Sequence, residues 1–257
     1  MQGLSYISFV AILCSLFLIP SHGNKTNNAA WQKGGATWYG DPEGAGSDGG
    51  ACGFTDTVSK PPLSKMIVAG GSTHFKNGIG CGACFEVKCS EHKDCSGKVV
   101  KVMVTDLCPG GFAGGIHLDL SGTAFGALAK PGKAQQLRNA GELKILYKRV
   151  ACSFGKSIHF TVDAGSNPYY FATAIEYHNA DGNLVQIELK QANTNKWIPM
   201  KHSWGAKWAL DLGSKLQPPF SLKLTQDGKI KKKSIVAHNV IPIQWKPGHV
   251  YRSVNNF

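Results

Sequence analysis

Apolar and polar residues alternate with a period of two along much of the chain, in short runs broken by clusters of glycine, proline and aspartate. That period belongs to strands with one buried face, so the pattern predicts a mainly β protein. In the first half, Val99 to Thr105 and Leu143 to Val150 read as strands. The stretch from Ile116 to Ser121 reads as a third, with Ile116, Leu118 and Leu120 on one face and His117, Asp119 and Ser121 on the other. Cys108 to Gly115 is too rich in glycine and proline to be other than an open loop. Only Ser121 to Ala129 and Gln135 to Asn139 carry a helical pattern. In the second half, short strands are predicted at Ser157–Val162, Tyr170–Tyr177, Leu184–Leu189, Lys196–Met200, Trp208–Asp211, Phe220–Leu224 and Ile235–Ile241. Asp181-Gly182, Pro218-Pro219 and Asp227-Gly228 supply the turns, and the regular spacing predicts a β-sandwich of about a hundred residues.

The start of the chain departs from this pattern. Ile7 to Leu18 is an almost unbroken apolar run, followed by Ser21-His22-Gly23. It is too short to span a bilayer comfortably and reads as a secretory signal peptide, residues 1–23, removed on export. No later run is apolar enough for a membrane span. Asn24-Lys25-Thr26 is then a glycosylation acceptor, at Asn24, beside the new N-terminus.

Export changes the reading of the cysteines. Cys14 leaves with the leader, and Cys52, Cys81, Cys84, Cys89, Cys95, Cys108 and Cys152 remain, an odd set expected to form disulfides and leave one thiol over. Cys81-Gly82-Ala83-Cys84 matches the spacing of a redox or zinc pair, but no helix is predicted after it and no second ligand pair stands nearby, so no metal and no cofactor is expected. All seven lie at or before Cys152, which marks a boundary between a cross-linked β domain, 24–150, and a sandwich, 151–257, held by core packing alone.

Residues 24–150 carry 15 Lys and Arg against 10 Asp and Glu, and residues 151–257 carry 13 against 6, a net +5 and +7. In an exported protein this points to acidic polymers and away from nucleic acid. The second half is also rich in rings, among them Tyr169, Tyr170, Trp197, Trp204 and Trp208, more than one small core requires. Rings exposed on a basic β surface suit stacking on the C–H face of a sugar. In the first half Trp38 and Tyr39 are adjacent, so a strand would send them to opposite faces.

Thr37-Trp38-Tyr39-Gly40, Gly50-Ala51-Cys52-Gly53, Gly80-Cys81-Gly82-Ala83-Cys84, Val104-Thr105-Asp106, His117-Leu118-Asp119-Leu120-Ser121-Gly122, Asn167-Pro168-Tyr169-Tyr170, Ser203-Trp204-Gly205 and Asn239-Val240-Ile241-Pro242 occur in this order. As a set they resemble the plant β-expansins, the group that includes the grass-pollen group-1 allergens. The resemblance implies a six-stranded double-psi β-barrel, similar to family-45 glycoside hydrolases, followed by an immunoglobulin-like β-sandwich that binds carbohydrate. It implies non-hydrolytic, pH-dependent loosening of the plant cell wall by a secreted monomer without metal or cofactor. The partners it implies are cellulose and arabinoxylan, with acidic glucuronoarabinoxylan favoured. Thr37, Tyr39, Asp106, His117 and Asp119 would line the polysaccharide groove, Trp38, Tyr170 and Trp204 would extend it, and Asp119 would match the hydrolases' general acid. The same resemblance pairs Cys52 with Cys81, Cys84 with Cys152 and Cys89 with Cys95, leaving Cys108 free. His117-Leu118-Asp119 stands where the family has His-Phe-Asp, and Asp48 lies in a loop shorter than the allergens' acidic loop, to whose acidic position it is matched.

Other readings compete with this one. An endoglycanase would use Asp119 as general acid and needs a second, ionised carboxylate, for which Asp106 and Asp48 are the nearby choices. A thiol protease would pair Cys108 with His117, without the helix N-terminus or orienting group that activates a thiol. A lectin-like structural protein would bind glycan without loosening it. Taken alone, Asp119 also reads as a strand end whose carboxylate caps the helix that follows.

Overall fold

The computed structural model describes residues 29–110, 117–228 and 231–257. The predicted leader with Cys14, the acceptor Asn24, Ile116 and the loop residues 111–115 lie outside the described residues.

Six strands close a barrel: β1 (Gln32–Tyr39), β2 (Ile67–Gly70), β3 (Cys84–Cys89), β4 (Val100–Leu107), β5 (His117–Ser121) and β6 (Leu143–Val150), in the order β1-β5-β2-β4-β3-β6. β1 runs parallel to β5 and β2 parallel to β4, while the other pairs are antiparallel. Ala36, Val68, Val104, Leu118 and Leu120 are sealed in the core. β2 is buried along its whole length, so it lacks the alternation that marks a strand in sequence. Three short helices, α1 (Ser72–Phe75), α2 (Gly122–Ala127) and α3 (Ala134–Asn139), pack outside the barrel. The cap of α2 is Ser121, whose Oγ accepts from the Ala124 N–H at 3.0 Å. Asp119, two residues earlier, is therefore not the helix cap.

Disulfides join Cys52 to Cys81, Cys84 to Cys152 and Cys89 to Cys95, and Cys108 is a free thiol. Closing 68 residues of chain, Cys84–Cys152 removes unfolded-state entropy worth about 4 kcal/mol.

The rest of the chain forms two sheets. β7 (His159–Val162), β8 (Tyr170–Glu176), β12 (Lys207–Asp211), β11 (Lys201–Trp204) and β15 (Val250–Arg252) make one, in the order β11-β12-β8-β7-β15. β9 (Leu184–Lys190), β10 (Ile198–Pro199), β13 (Phe220–Gln226) and β14 (Lys233–Ile241) make the other, in the order β10-β9-β13-β14. Phe160, Phe171, Ile187, Leu189, Phe220, Leu222 and Leu224 fill the space between them. Phe171 meets Phe220 and Trp245 edge-on, at 5.2 and 5.6 Å between ring centres, with the phenylalanines in the core and Trp245 packed against it. Tyr169 and Trp204 stay 55% and 47% exposed, so the surplus of rings divides into a core set and a surface set.

Barrel and sandwich share a tight seam. The Ala206 N–H donates to the Cys52 carbonyl at 3.0 Å, and Arg149 Nη2 donates to the Gly182 carbonyl at 2.8 Å. A Cβ on Gly82 would sit 2.7 Å from His178 Nε2, so only glycine lets the buried imidazole approach.

Candidate functional site

Strand register builds a polar row across the barrel. Thr37 on β1 lies opposite Asp119 on β5, Asp119 opposite Ala69 on β2, and Ala69 opposite Asp106 on β4. Partners in register share a face, so Thr37, Asp119 and Asp106 project together, with the small Ala69 keeping the two carboxylates apart. A register shift between Val68 and Ala69 brings Asp106 into the row. His117 joins it two residues before Asp119, on the same face, and lines a cleft of about 580 Å³ with Ser72, Phe75, Asn77 and Cys108.

The Thr37 hydroxyl donates to Asp119 Oδ1 at 2.5 Å and lies 2.9 Å from His117 Nε2. A hydroxyl has one proton, so the imidazole Nε2 is the donor to Thr37. Thr37 thus locks both side chains. Burial pushes the Asp119 carboxyl above the usual carboxylate range, against the Thr37 hydrogen bond and the His117 charge. Burial likewise draws His117 below the usual imidazole range, against the attraction of Asp119. Tyr39, on the Thr37 face, is pushed up to about 12, first by burial and then by Asp106. Its ring lies so close to Gly46 that a Cβ there would be 2.3 Å from Cζ.

Asp106 has different work. Its Oδ1 accepts from the Ala51 and Leu107 N–H groups at 2.7 and 2.8 Å, and Oδ2 accepts from Ser47 Oγ at 2.7 Å. Three of about four acceptor positions on the carboxylate are used, and two of these bonds, from Ser47 and Ala51, hold one loop. Gly50 in that loop has φ +43, and a Cβ there would meet the Asp106 carboxyl carbon at 2.5 Å. Two strand spacings place the Asp106 and Asp119 backbones about 10 Å apart, the scale of an inverting carboxylate pair. A base must still present a free oxygen to water, and Asp106 is committed to the loop.

The same loop carries the surface into the sandwich. Gly53 lies directly beneath Trp204, where a Cβ would be 2.7 Å from Cη2. Register then places Trp204, Lys207 and Ala174 on the outer face of the five-stranded sheet, and likewise Asp211 and Tyr170, with Ala209 and Ala172 between them. Ala172 and Ala174 are buried, and the partly exposed Ala209 lies between the two rings. Lys207 Nζ stands 4.5 Å from the centre of the Trp204 ring and 2.6 Å from Asp163 Oδ2. Tyr169 stands among the surplus rings named from sequence without a place in the groove, whereas nothing local marks Lys207.

The remaining expected residues divide. Trp38, on the opposite face of β1 from Thr37, donates its indole N–H to the Arg138 carbonyl at 3.0 Å and tilts against Phe125, leaving part of its ring at the surface. Asp48 is exposed, with Ser59 Oγ 3.4 Å away, apart from the Thr37–Asp119 cluster. Cys108 is drawn in: its Sγ, a ring nitrogen of His117 and a carboxylate oxygen of Asp119 lie within 4.8 Å of one another. Burial and the charge of Asp119 push its thiol above the usual range, the reverse of what a thiolate nucleophile needs.

These features define a class: a closed barrel with a clamped acidic groove, continued by a flat aromatic face on a β-sandwich. Comparison with known proteins agrees. Residues 158–242 match the family model described as the expansin C-terminal domain, and residues 67–147 match one described as lytic transglycolase. Expansin-B4 of Arabidopsis thaliana is 50% identical over 87% of this chain and 86% of its own. Expansin-B11 of Oryza sativa subsp. japonica is 47% identical over 93% and 85%. Pollen allergen Phl p 1 of Phleum pratense is 42% identical over 98% and 100%. The crystal structure of the apo expansin of Clavibacter michiganensis superposes with a TM-score of 0.66 at 24% identity, covering 88% of this chain and 98% of the other. The chain belongs to the plant β-expansins. It is a polysaccharide-binding, cell-wall-loosening protein with a double-psi barrel and a β-sandwich, and not an enzyme.

Proposed function

We propose that the protein, exported after loss of residues 1–23 and glycosylated at Asn24, acts as a monomer in the wall and grips acidic glucuronoarabinoxylan, with cellulose as a weaker partner. The barrel domain, 24–150, grips the chain through Thr37, Tyr39, His117 and Asp119. The sandwich domain, 151–257, holds it through Tyr170 and Trp204, with Trp38 at the barrel edge. Asp106 shapes the groove by bracing its loop, and Asp48 meets glycan only at the periphery. The observation that carries this reading is the unbroken path from the Thr37–Asp119 clamp through the Asp106-held loop to Trp204 on Gly53. An expansin of Clavibacter michiganensis has been solved, as a mutant, in complex with cellohexaose, which supports a glucan chain as a ligand class for a protein of this fold. The net charge of +12 supports an acidic partner over a neutral one.

The test is co-sedimentation with insoluble glucuronoarabinoxylan, the same polymer with its carboxyls reduced, and cellulose. The acidic polymer is expected to bind best and to lose its advantage as salt screens the charge. Equal binding to the reduced polymer contradicts the choice of partner. Sustained release of new reducing ends from either glycan, abolished in Asp119→Asn, would favour an endoglycanase instead.

A further inference from the structure

Cys108 follows β4 on the rim of the cleft that His117 also lines. It is outside every disulfide, and its Sγ lies 3.1 Å from the Gly110 carbonyl. Among the described residues, Cys108, His117 and Asp119 are the one cluster of three metal-ligating side chains, with ligand atoms no more than 4.8 Å apart. We propose that these three side chains form a binding site for a divalent first-row metal ion of borderline softness, of the Zn²⁺ class, entered from the cleft. One thiolate, one imidazole and one carboxylate are the donor set that such ions take, and three protein ligands leave a fourth position open. The thiolate disfavours Ca²⁺ and Mg²⁺, which require oxygen. Tetrahedral bonds of about 2.0–2.3 Å put neighbouring ligand atoms roughly 3.5 Å apart. The present spacing closes to that by side-chain shifts of about 1 Å. Thr37, bonded to both His117 and Asp119, orients two of the three ligands in advance.

On binding, the hydrated ion gives up waters to three protein ligands and keeps one in the open position. The thiol proton passes to solvent as the metal–sulfur bond forms, and Sγ turns from the Gly110 carbonyl to the ion. An occupied site takes up His117 and Asp119, so ion and glycan compete. That consequence rests on the groove reading above; binding of the ion does not.

The experiment uses the mature, disulfide-bonded protein without glycan, with Co²⁺ as probe and Zn²⁺ as competitor. One equivalent of Co²⁺ is expected to bind with the ultraviolet charge-transfer band of a cobalt–thiolate bond, and Zn²⁺ to displace it. Cys108→Ser is expected to lose the band and weaken binding at least about tenfold, and Asp119→Asn to weaken it by a similar factor. In the unmutated protein, saturating Zn²⁺ is expected to slow alkylation of Cys108 at least about tenfold, a readout independent of how the variants fold. Absence of the thiolate band, undiminished Co²⁺ binding in Cys108→Ser, or alkylation unchanged by Zn²⁺ would each overturn the site.

Discussion

In the barrel, Thr37, His117, Asp119 and Asp106 are set by register across four adjacent strands, and each is tied to a neighbour by a hydrogen bond. On the five-stranded sheet, Tyr170 and Trp204 share the outer face with a lysine over one ring. The first arrangement fixes polar atoms in one geometry. The second offers ring faces that tolerate a sliding chain. Covalent structure follows the same division, since all three disulfides lie at or before Cys152 and the sandwich rests on Phe160, Phe171, Phe220 and their neighbours. A groove that must hold an oriented acid is braced, whereas a face that only stacks needs a packed core behind it.

The division is most severely strained by replacing Cys84 and Cys152 together with alanine. The barrel is expected to lose about 4 kcal/mol, with hydrogen exchange rising in β3 and β6 while β8 and β13 keep their protection. Equal loss of protection in both domains would show one cooperative unit.

Acid probes the two halves differently. Burial and Arg149 push His178, at the seam, down to about 3, and burial pushes His74, in the barrel, down to about 4. Both are neutral in the fold, so their stabilisation is full above the unfolded value of about 6.5 and is lost as pH falls toward the folded values. Glu176, raised to about 7 by burial, acts oppositely, gaining stability as pH falls from 7 toward its unfolded value of 4.5. From pH 6.5 to 5 each histidine costs about 2 kcal/mol and Glu176 returns about as much as one of them, a net loss of about 2 kcal/mol. Melting temperature is therefore expected to drop over that range, more steeply in Glu176→Gln and less steeply in His178→Gln. A melting temperature that rises toward pH 5 contradicts the assignment.

Smaller effects belong to the sheet. Trp204→Ala is expected to weaken binding to insoluble glycan about tenfold, with the barrel's melting unchanged. Lys207→Gln should weaken it a few-fold, and only for the acidic polymer at low salt.

Much of this was legible in sequence where structure is local. The alternation around His117, Leu118 and Asp119 marked β5 and its polar face, and the spacing of turns marked most of the sandwich strands. β2 was not legible because its four residues are all buried, and β11 was not because its register breaks between His202 and Trp204. The aromatic pair Tyr170 and Trp204 could be picked from composition and motif. The commitment of Asp106 to the Ala51 and Leu107 N–H groups could not, because it depends on a register shift in a partner strand and on a loop 55 residues away. The meeting of Gly53 with Trp204 depends in the same way on how two domains dock.

The central claim is that the barrel grips and the sandwich holds. The direct measurement is creep of acidified, heat-inactivated plant walls under constant load, paired with binding to the same walls, for Asp119→Asn and Trp204→Ala. Asp119→Asn is expected to lose at least about nine-tenths of the creep while binding within about twofold of the unmutated protein, because the charge it removes belongs to a clamp and not to the stacking surface. Trp204→Ala is expected to lose binding and creep together. Full creep in Asp119→Asn, or loss of binding equal to that of Trp204→Ala, would contradict the account.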